Sequence, residues 1–389
     1  MKFFPILILA ATLCHGAETV AVVPLFNLDQ AKSSSLDWIG ESVAETLQES
    51  LSSSGLLSLS REDREEVYKR LSLRTGVVLT KASVMKIGEA LDAGQVVFGE
   101  FRVDPPGTPK SSLRLSIRLI DLKKFHEGPE FTQTGPLESL SQMETKLAWM
   151  LIRQLAPDRA PSEEQFFRLR PPVRVDAMEN YIRGLMASNS EQKMTLFGRA
   201  IRIDDHFSQP AFQLGRMLFL KHDYKTAGQW LTRVTAGDSH FLEATFLRAI
   251  CRYHEGDFEG AATQFRAVAA EVPLNEVYNN LGAALSRRND PSALENFSKA
   301  LEGDEADPDY WFNTGYALWK QGSFDLATDR FRAVLDRTPG DQEATVFLGR
   351  CIKREGPRAG DPRSDGRERI KTTFEDSVWR QLQAELHAK

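Results

Sequence analysis

The chain has 389 residues, 41% of them hydrophobic and 26% charged, with a formal net charge of −5. That length exceeds one ordinary domain, and those fractions exclude wholesale disorder. Forty-nine basic against 54 acidic residues leave no general excess for neutralising phosphates, so nucleic acid is not an expected partner. Three cysteines exclude a disulfide scaffold and a multi-cysteine zinc module.

Met1-Lys2, the apolar run Phe3 to Leu13 and the small residues Gly16 and Ala17 form the pattern of a secretory signal peptide over 1–16. The run is shorter than the roughly 20 residues a spanning helix needs. Cleavage fits better after Gly16 than after Ala17, where bulky His15 would stand close upstream. The expectation is an exported, periplasmic chain. A lipid anchor on Cys14 is the lesser alternative, because Leu13 before it is large.

Residues 17–156 read as a mixed α/β domain. Val20 to Phe26 is a short buried strand. Leu36, Ile39, Val43, Leu47 and Leu51 form a helical stripe that Gly55 stops. Leu56 to Leu59 predicts a second strand, and Arg61 to Leu71 and the Val84, Ile87, Leu91 stripe predict helices. Gln95 to Val103 and the alternating run Leu113, Leu115, Ile117, Leu119 predict a hairpin across the turn-rich stretch Asp104 to Lys110. A last helix carries Leu137, Leu140, Met143, Leu147, Leu151 and Leu155. Gly40-Glu-Ser-Val-Ala44 has the look of a nucleophile elbow, but Ser42 lies inside a helical stripe instead of on a strand-to-helix turn.

Val20-Ala-Val-Val-Pro-Leu-Phe-Asn27, the helix Leu36 to Ser53 running into Gly55 and Ser60-Arg61, Val96-Val-Phe-Gly99, and Leu113 to Asp121 resemble the TolB amino-terminal domain, a fold shared with the curli-secretion CsgG family. The family often carries an acidic residue followed by glycine before the first helix, where this chain has Trp38-Ile-Gly40. The resemblance implies a domain that engages an envelope component, with no catalytic residue to carry over.

Pro157, Pro161, Pro171 and Pro172 mark a linker over 157–176. Beyond it the sequence repeats itself. Gly215, Ala249, Gly282, Gly315 and Gly349 recur at a period of about 34 residues, and Ala227, Ala261, Ala293 and Ala327 keep step. Leu231, Phe265, Phe297 and Phe331 form a third ladder. Small residues on both helices of a pair let the axes approach, and the large apolar residue fills what they leave. Gly256-Asp257 and Gly322-Ser323 break one helix from the next, while Asp290-Pro291 and Asp307-Pro308 read as capped helix starts.

With Trp311-Phe-Asn-Thr-Gly-Tyr316, Gly322-Ser-Phe-Asp-Leu-Ala327 and Phe331 to Pro339, this period resembles the tetratricopeptide repeat. The expected fold is thus α+β overall: an N-terminal mixed α/β sandwich domain, then an all-α tetratricopeptide-repeat superhelix over 177–355. Five repeats, the first near Ala177 and Gly184, would be closed by a capping helix from Gln342. Residues 356–371 are expected to be a disordered linker, and 372–389 an amphipathic helix on Phe374, Val378, Leu382 and Leu386. That helix packs on the last repeat in one reading and docks a partner in the other.

The resemblance implies a concave face lined by first helices. On it would lie Phe212, Arg216, Phe219, Phe246, Tyr253, His254, Asn279, Arg287, Phe312, Tyr316, Trp319 and Arg350, an aromatic groove edged by arginines for a protein or peptide segment with apolar anchors. Removing Phe312 and Trp319 is expected to abolish capture and spare helicity. The histidines lack metal-ligand spacing, and Cys251 and Cys351 read as buried hydrophobes three repeats apart. No cofactor or metal is expected. The reading is a non-enzymatic exported scaffold; an accessory factor in outer-membrane, exopolysaccharide or secretion assembly is the runner-up, and an enzyme with an unrecognised N-terminal site the third.

Overall fold

The computed structural model describes residues 19–29, 34–73, 78–104, 112–358, 361, 363–375, 378–379 and 382. The expected signal peptide, Cys14 and Leu386 lie outside these residues, as does the hairpin loop after Asp104. The chain divides into two compact units, one ending at Glu163 and the other running from Glu164 to Gln383.

The first unit is built on one mixed sheet. Strand β1 (Val20–Val22) pairs in parallel with β3 (Gln95–Asp104), as does β2 (Phe26–Asn27) further along β3. β3 pairs antiparallel with β4 (Ser112–Asp121), and β4 with β5 (His126–Pro136) at the sheet edge. Helices α1 (Trp38–Ser53), α2 (Arg61–Arg70), α3 (Lys81–Ala90) and α4 (Leu140–Leu155) complete the unit. Ala21, Val23, Val96 and Ile120 share a core with Val67, Val84 and Ile87 of α2 and α3. The stripe Ile39, Val43, Leu47, Leu51 is fully buried, as the spacing requires.

Two expectations for this unit need correction. Leu56 to Leu59 forms no regular strand: its pairing stops at one isolated bridge of Ser58 to Val20, in which the Leu57 carbonyl accepts from the Val20 amide and the Leu59 amide donates to the Val20 carbonyl. β5 went unread, since an edge strand half in water carries no buried alternation, and its Gly and Pro argue locally against a strand. Ser42 is buried mid-helix in α1, far from any elbow geometry.

The expected linker 157–176 contains a six-residue helix, α5 (Glu163–Arg168), with Phe166 buried under the Arg170 guanidinium. Among the described residues, five helical hairpins follow: α6 (Val175–Met186) with α7 (Ser190–Ile203), α8 (Gln209–Leu220) with α9 (Tyr224–Leu231), α10 (Phe241–His254) with α11 (Phe258–Glu271), α12 (Asn275–Arg287) with α13 (Ala293–Gly303), and α14 (Pro308–Lys320) with α15 (Phe324–Arg337). A lone α16 (Gln342–Ile352) closes the stack against α15.

Packing explains the ladders. A Cβ added at Gly184 would stand 2.5 Å from Phe197, and one at Gly282 2.7 Å from Phe297, so only glycine lets the paired helix this close. At Gly349, whose helix has no partner of its own, an added Cβ meets nothing within 4 Å. The turns use left-handed backbone after the first helix: Gly256 and Gly322 take φ of 83° and 79°, while His222 and Asn289 reach 61° and 56° in the equivalent places. Asp223, Asp257, Asp307 and Asp341 cap helix starts through their carboxylates. Asp290-Pro291 differs from the expectation: α13 starts at Ala293, after a turn in which Asp290 accepts from the Ser292 amide and hydroxyl.

Candidate functional site

The first helices of the later hairpins present one repeating face, and that face is occupied. After α16 the chain turns back and residues 363–375 run across α14, α12 and α10 in turn. This overturns the expected disordered linker over 363–371, while 359, 360 and 362 lie outside the described residues. A Gly-, Arg- and Asp-rich stretch has little to bury by itself, but here the array supplies the partners.

Two asparagines in equivalent places of successive repeats grip the returning backbone. Asn313 donates to the Arg369 carbonyl at 2.7 Å and accepts from the Arg369 amide at 2.8 Å. Asn280 does the same for Lys371, at 2.7 and 2.8 Å. Each uses both ends of its amide on one residue, which orients the segment without reading its side chain. Asn279 adds a bond to the Arg369 carbonyl at 2.8 Å and accepts from Asn313 Nδ2 at 2.7 Å. Residues 369 and 371 are two apart, the step at which an extended chain returns to the same face. All three asparagines are buried, so losing the segment exposes or orphans their amides.

Side chains are read separately, by carboxylates that also follow the repeat. Glu276, Asp309 and Glu343 stand in the first turns of α12, α14 and α16, one in each successive repeat; Asp309 and Glu343 face tail side chains, whereas Glu276 accepts from the Glu375 amide at 3.1 Å. The Arg369 guanidinium meets Asp309 at 3.2 Å, Asp341 at 2.8 Å and Glu343 at 3.4 Å, and lies 3.6 Å from the Phe312 ring centroid. Lys371 Nζ reaches Asp307 and Asp309, each at 2.7 Å. Burial disfavours both cations, but Asp341 and Asp309 for Arg369, and Asp307 and Asp309 for Lys371, hold their pKa values above the ordinary range. Upstream, Tyr316 donates to the Ser364 carbonyl at 2.8 Å, and Ser286 to Glu368 Oε1 at 2.6 Å. Burial pushes the Glu368 carboxyl up, against the Ser286 hydroxyl and Lys320, whose Nζ is 3.9 Å away. Downstream, Phe374 meets Phe246 edge-on at 5.2 Å and tilts against Trp379, which is buried.

The predicted groove residues divide into three groups. Phe246, Asn279, Phe312 and Tyr316 meet the returning segment directly, as do Trp319, whose indole donates to the Glu355 carbonyl at 2.7 Å, and Arg350, 3.7 Å from Asp361. Tyr253 and Arg287 lie close by: Glu368 raises the Tyr253 pKa beyond what burial does, and an added Cβ at Gly366 would collide with Arg287 Nη1. Phe212 stacks on His240 and Phe219 meets Tyr224 edge-on, both inside the array, while Arg216 is exposed. His254 stacks on Tyr224 at 4.0 Å.

The character of the groove differs from the expectation. Phe246, Phe312, Tyr316 and Trp319 are fully buried and belong to the packing between helices, with Phe312 against both Phe331 and Phe347. Removing Phe312 and Trp319 would therefore cut into the array and not spare it. The reading face is amide and carboxylate. Asn280 and Asn313 went unread, although a buried-face asparagine recurring at the repeat period was a visible signal, as was the carboxylate ladder. The tail stripe was half read: Phe374 and Leu382 pack on the array, but Val378 is exposed and Trp379 takes the buried place. The packing is also not on the last repeat; it reaches back to α10 through Phe246.

Cys251 and Cys351 are buried free thiols, their pKa values pushed up to about 12 and 11 by burial. Asp204, Asp205 and His206 form an exposed cluster on one turn, with His206 paired to Asp205 at 2.9 Å.

Residues 283–342 and 315–352 match the tetratricopeptide-repeat family. No curated protein matches the chain. Among solved structures it is similar to YrrB, described as a tetratricopeptide-repeat protein with an unusual peptide-binding site, at 21% identity over 43% of this chain and 87% of that one, with a TM-score of 0.36. It is similar also to MamA of Desulfovibrio magneticus RS-1 (18% identity, 43% and 95% covered, TM-score 0.39) and to pilF of Pseudomonas aeruginosa (18%, 46% and 83%, 0.38). The chain thus joins a small sheet-based unit to an array of helical hairpins, of which residues 283–352 match the tetratricopeptide-repeat family.

Proposed function

We propose that this protein is an exported interaction scaffold whose repeat array holds an extended segment of a protein partner along its first helices. The first unit, read as a TolB amino-terminal-like domain, engages a component of the cell envelope. The signal-peptide pattern of residues 1–16 supports a periplasmic location. One observation carries the reading of the array: Asn280 and Asn313 each bond both backbone groups of one residue in an extended strand. Buried side-chain amides arranged at the repeat period, each bonded at both ends to a passing backbone, are the equipment of a peptide-holding groove.

The test is a photo-crosslinking residue at Tyr253, at the rim of the groove, in the full chain expressed in its native cells. The expected result is a protein adduct that disappears in the Asn280→Ala/Asn313→Ala chain. If crosslinks form only within the chain, even after Arg369→Glu and Lys371→Glu loosen its tail, the scaffold reading fails.

A further inference from the structure

The chain's own tail shows what the groove reads. We propose that the array selects extended segments carrying two cations spaced by one apolar residue and preceded by an acidic one, the pattern of Glu368-Arg369-Ile370-Lys371, and that the tail is a built-in competitor which such a partner segment displaces. This rests on the scaffold reading above and adds a ligand chemistry and a regulation to it.

The selectivity follows from the charges. Asp307, Asp309, Asp341 and Glu343 converge on two side chains, Arg369 and Lys371. Four carboxylates gathered on one face repel each other; helix-start amides relieve Asp307 and Asp341 in part, and a cationic ligand relieves the whole group. Arginine fits the first position better than lysine, because its flat guanidinium spans Asp309 and Asp341 while stacked on Phe312. The acidic residue before it is taken by the Ser286 hydroxyl and Lys320 on the opposite side. The acidic character continues along the array: an open cavity of about 620 Å³ between it and the tail residues Lys371, Phe374 and Leu382 is walled on the array side by Glu276, Asp304 and Asp307.

Displacement follows from how the array holds together. The hairpins pack through their own ladders, with Phe265 against Phe246, Phe297 against Gly282 and Phe331 against Gly315 inside each pair of helices. The tail between Ser364 and Lys371 is held mainly by polar contacts to buried array side chains, with Ile370 against the core, and a second strand of like chemistry can replace these one for one. Tethered to α16 by a short stretch, the tail competes at an effective concentration on the order of millimolar, so a free segment meets a raised apparent Kd.

The experiment uses the full chain and a fluorescein-labelled peptide of residues 364–375, read by fluorescence anisotropy. The Arg369→Glu/Lys371→Glu chain, its tail repelled by the groove, is expected to bind the peptide at least tenfold more tightly than the unmodified chain. A peptide with glutamate at both cationic positions is expected to lose at least a hundredfold on that same variant. Should the double reversal fail to fold by circular dichroism, Lys371→Glu alone carries the comparison. Equal binding by native and charge-reversed peptides overturns the cationic selectivity while leaving the scaffold reading intact. Equal affinity of the unmodified and tail-reversed chains for the native peptide overturns the competitor. No binding of either peptide to a folded variant overturns both parts. Light scattering on the same samples reads the remaining occupant: an unmodified chain that is a tail-exchanged dimer removes the intramolecular competition.

Discussion

Replacing Asn280 and Asn313 with alanine removes the four bonds that grip the Arg369 and Lys371 backbone, each between 2.7 and 2.8 Å long. A net intramolecular hydrogen bond contributes about 1 kcal/mol, so the pair of substitutions weakens tail docking by about 4 kcal/mol, or roughly a thousandfold in the docked-to-free ratio. The helices themselves should not suffer, because alanine is the better helix former at an interior position. Trypsin gives the readout. Arg363, Arg367, Arg369 and Lys371 are cleavage sites whose access requires the tail to leave the groove. When opening is fast relative to cutting, the cleavage rate tracks the open population. The double variant should be cut at these bonds some hundredfold to a thousandfold faster, up to the limit of a free peptide, and each single variant about thirtyfold faster. Cleavage at the unmodified rate, in a variant with native helicity, would refute the claim that these amides hold the tail.

Three further outcomes follow from the same geometry. Glu144 is buried among Ser42 and Thr46, and burial raises its pKa to about 8 from an ordinary 4.5. The unfolded chain ionises this carboxyl first, so its contribution is complete below pH 4.5 and drains away up to pH 8, by about 3 kcal/mol at pH 7. Glu144→Gln should flatten that decline, seen as slower amide exchange in 38–53 at pH 8, and an equal pH slope in both proteins contradicts it. Phe312→Ala removes a fully buried ring and should cost about 3–5 kcal/mol in denaturant unfolding of the array, whereas unchanged stability would restore Phe312 as a surface anchor. Gly322→Ala, at a φ of 79°, should cost about 1–2 kcal/mol, with the melting temperature as the check and no shift as the contrary result.

The repeat architecture was legible because its causes are local and periodic. Gly282 must be small because Phe297 is large, and a small residue facing a large one recurs in each hairpin. The buried stripe of α1 and the alternation of β4 were legible for the same reason: one face of a regular element meets a core. What escaped depends on a second segment. β5 is a strand because β4 offers it a ladder, with little burial of its own to show in the sequence. The tail looks solvated in isolation, and Ile370, Phe374 and Trp379 gain a core only where α10 and α12 provide one. Asn279 was read as a groove residue from its place on the first helix. Asn280 and Asn313 stand among aromatics that mark a groove by residue type, yet those rings are packed between helices and the amides make the backbone bonds.

Amide exchange on the unmodified full chain tests the central claim most directly. The Arg369 and Lys371 amides donate to Asn313 and Asn280 at 2.8 Å, away from any regular secondary structure. Peptides covering 364–375 should therefore exchange at least a hundredfold more slowly than the free tail peptide at equal pH and temperature. Exchange of this segment at the free-peptide rate, with α12 and α14 protected, would show an empty groove and contradict the account.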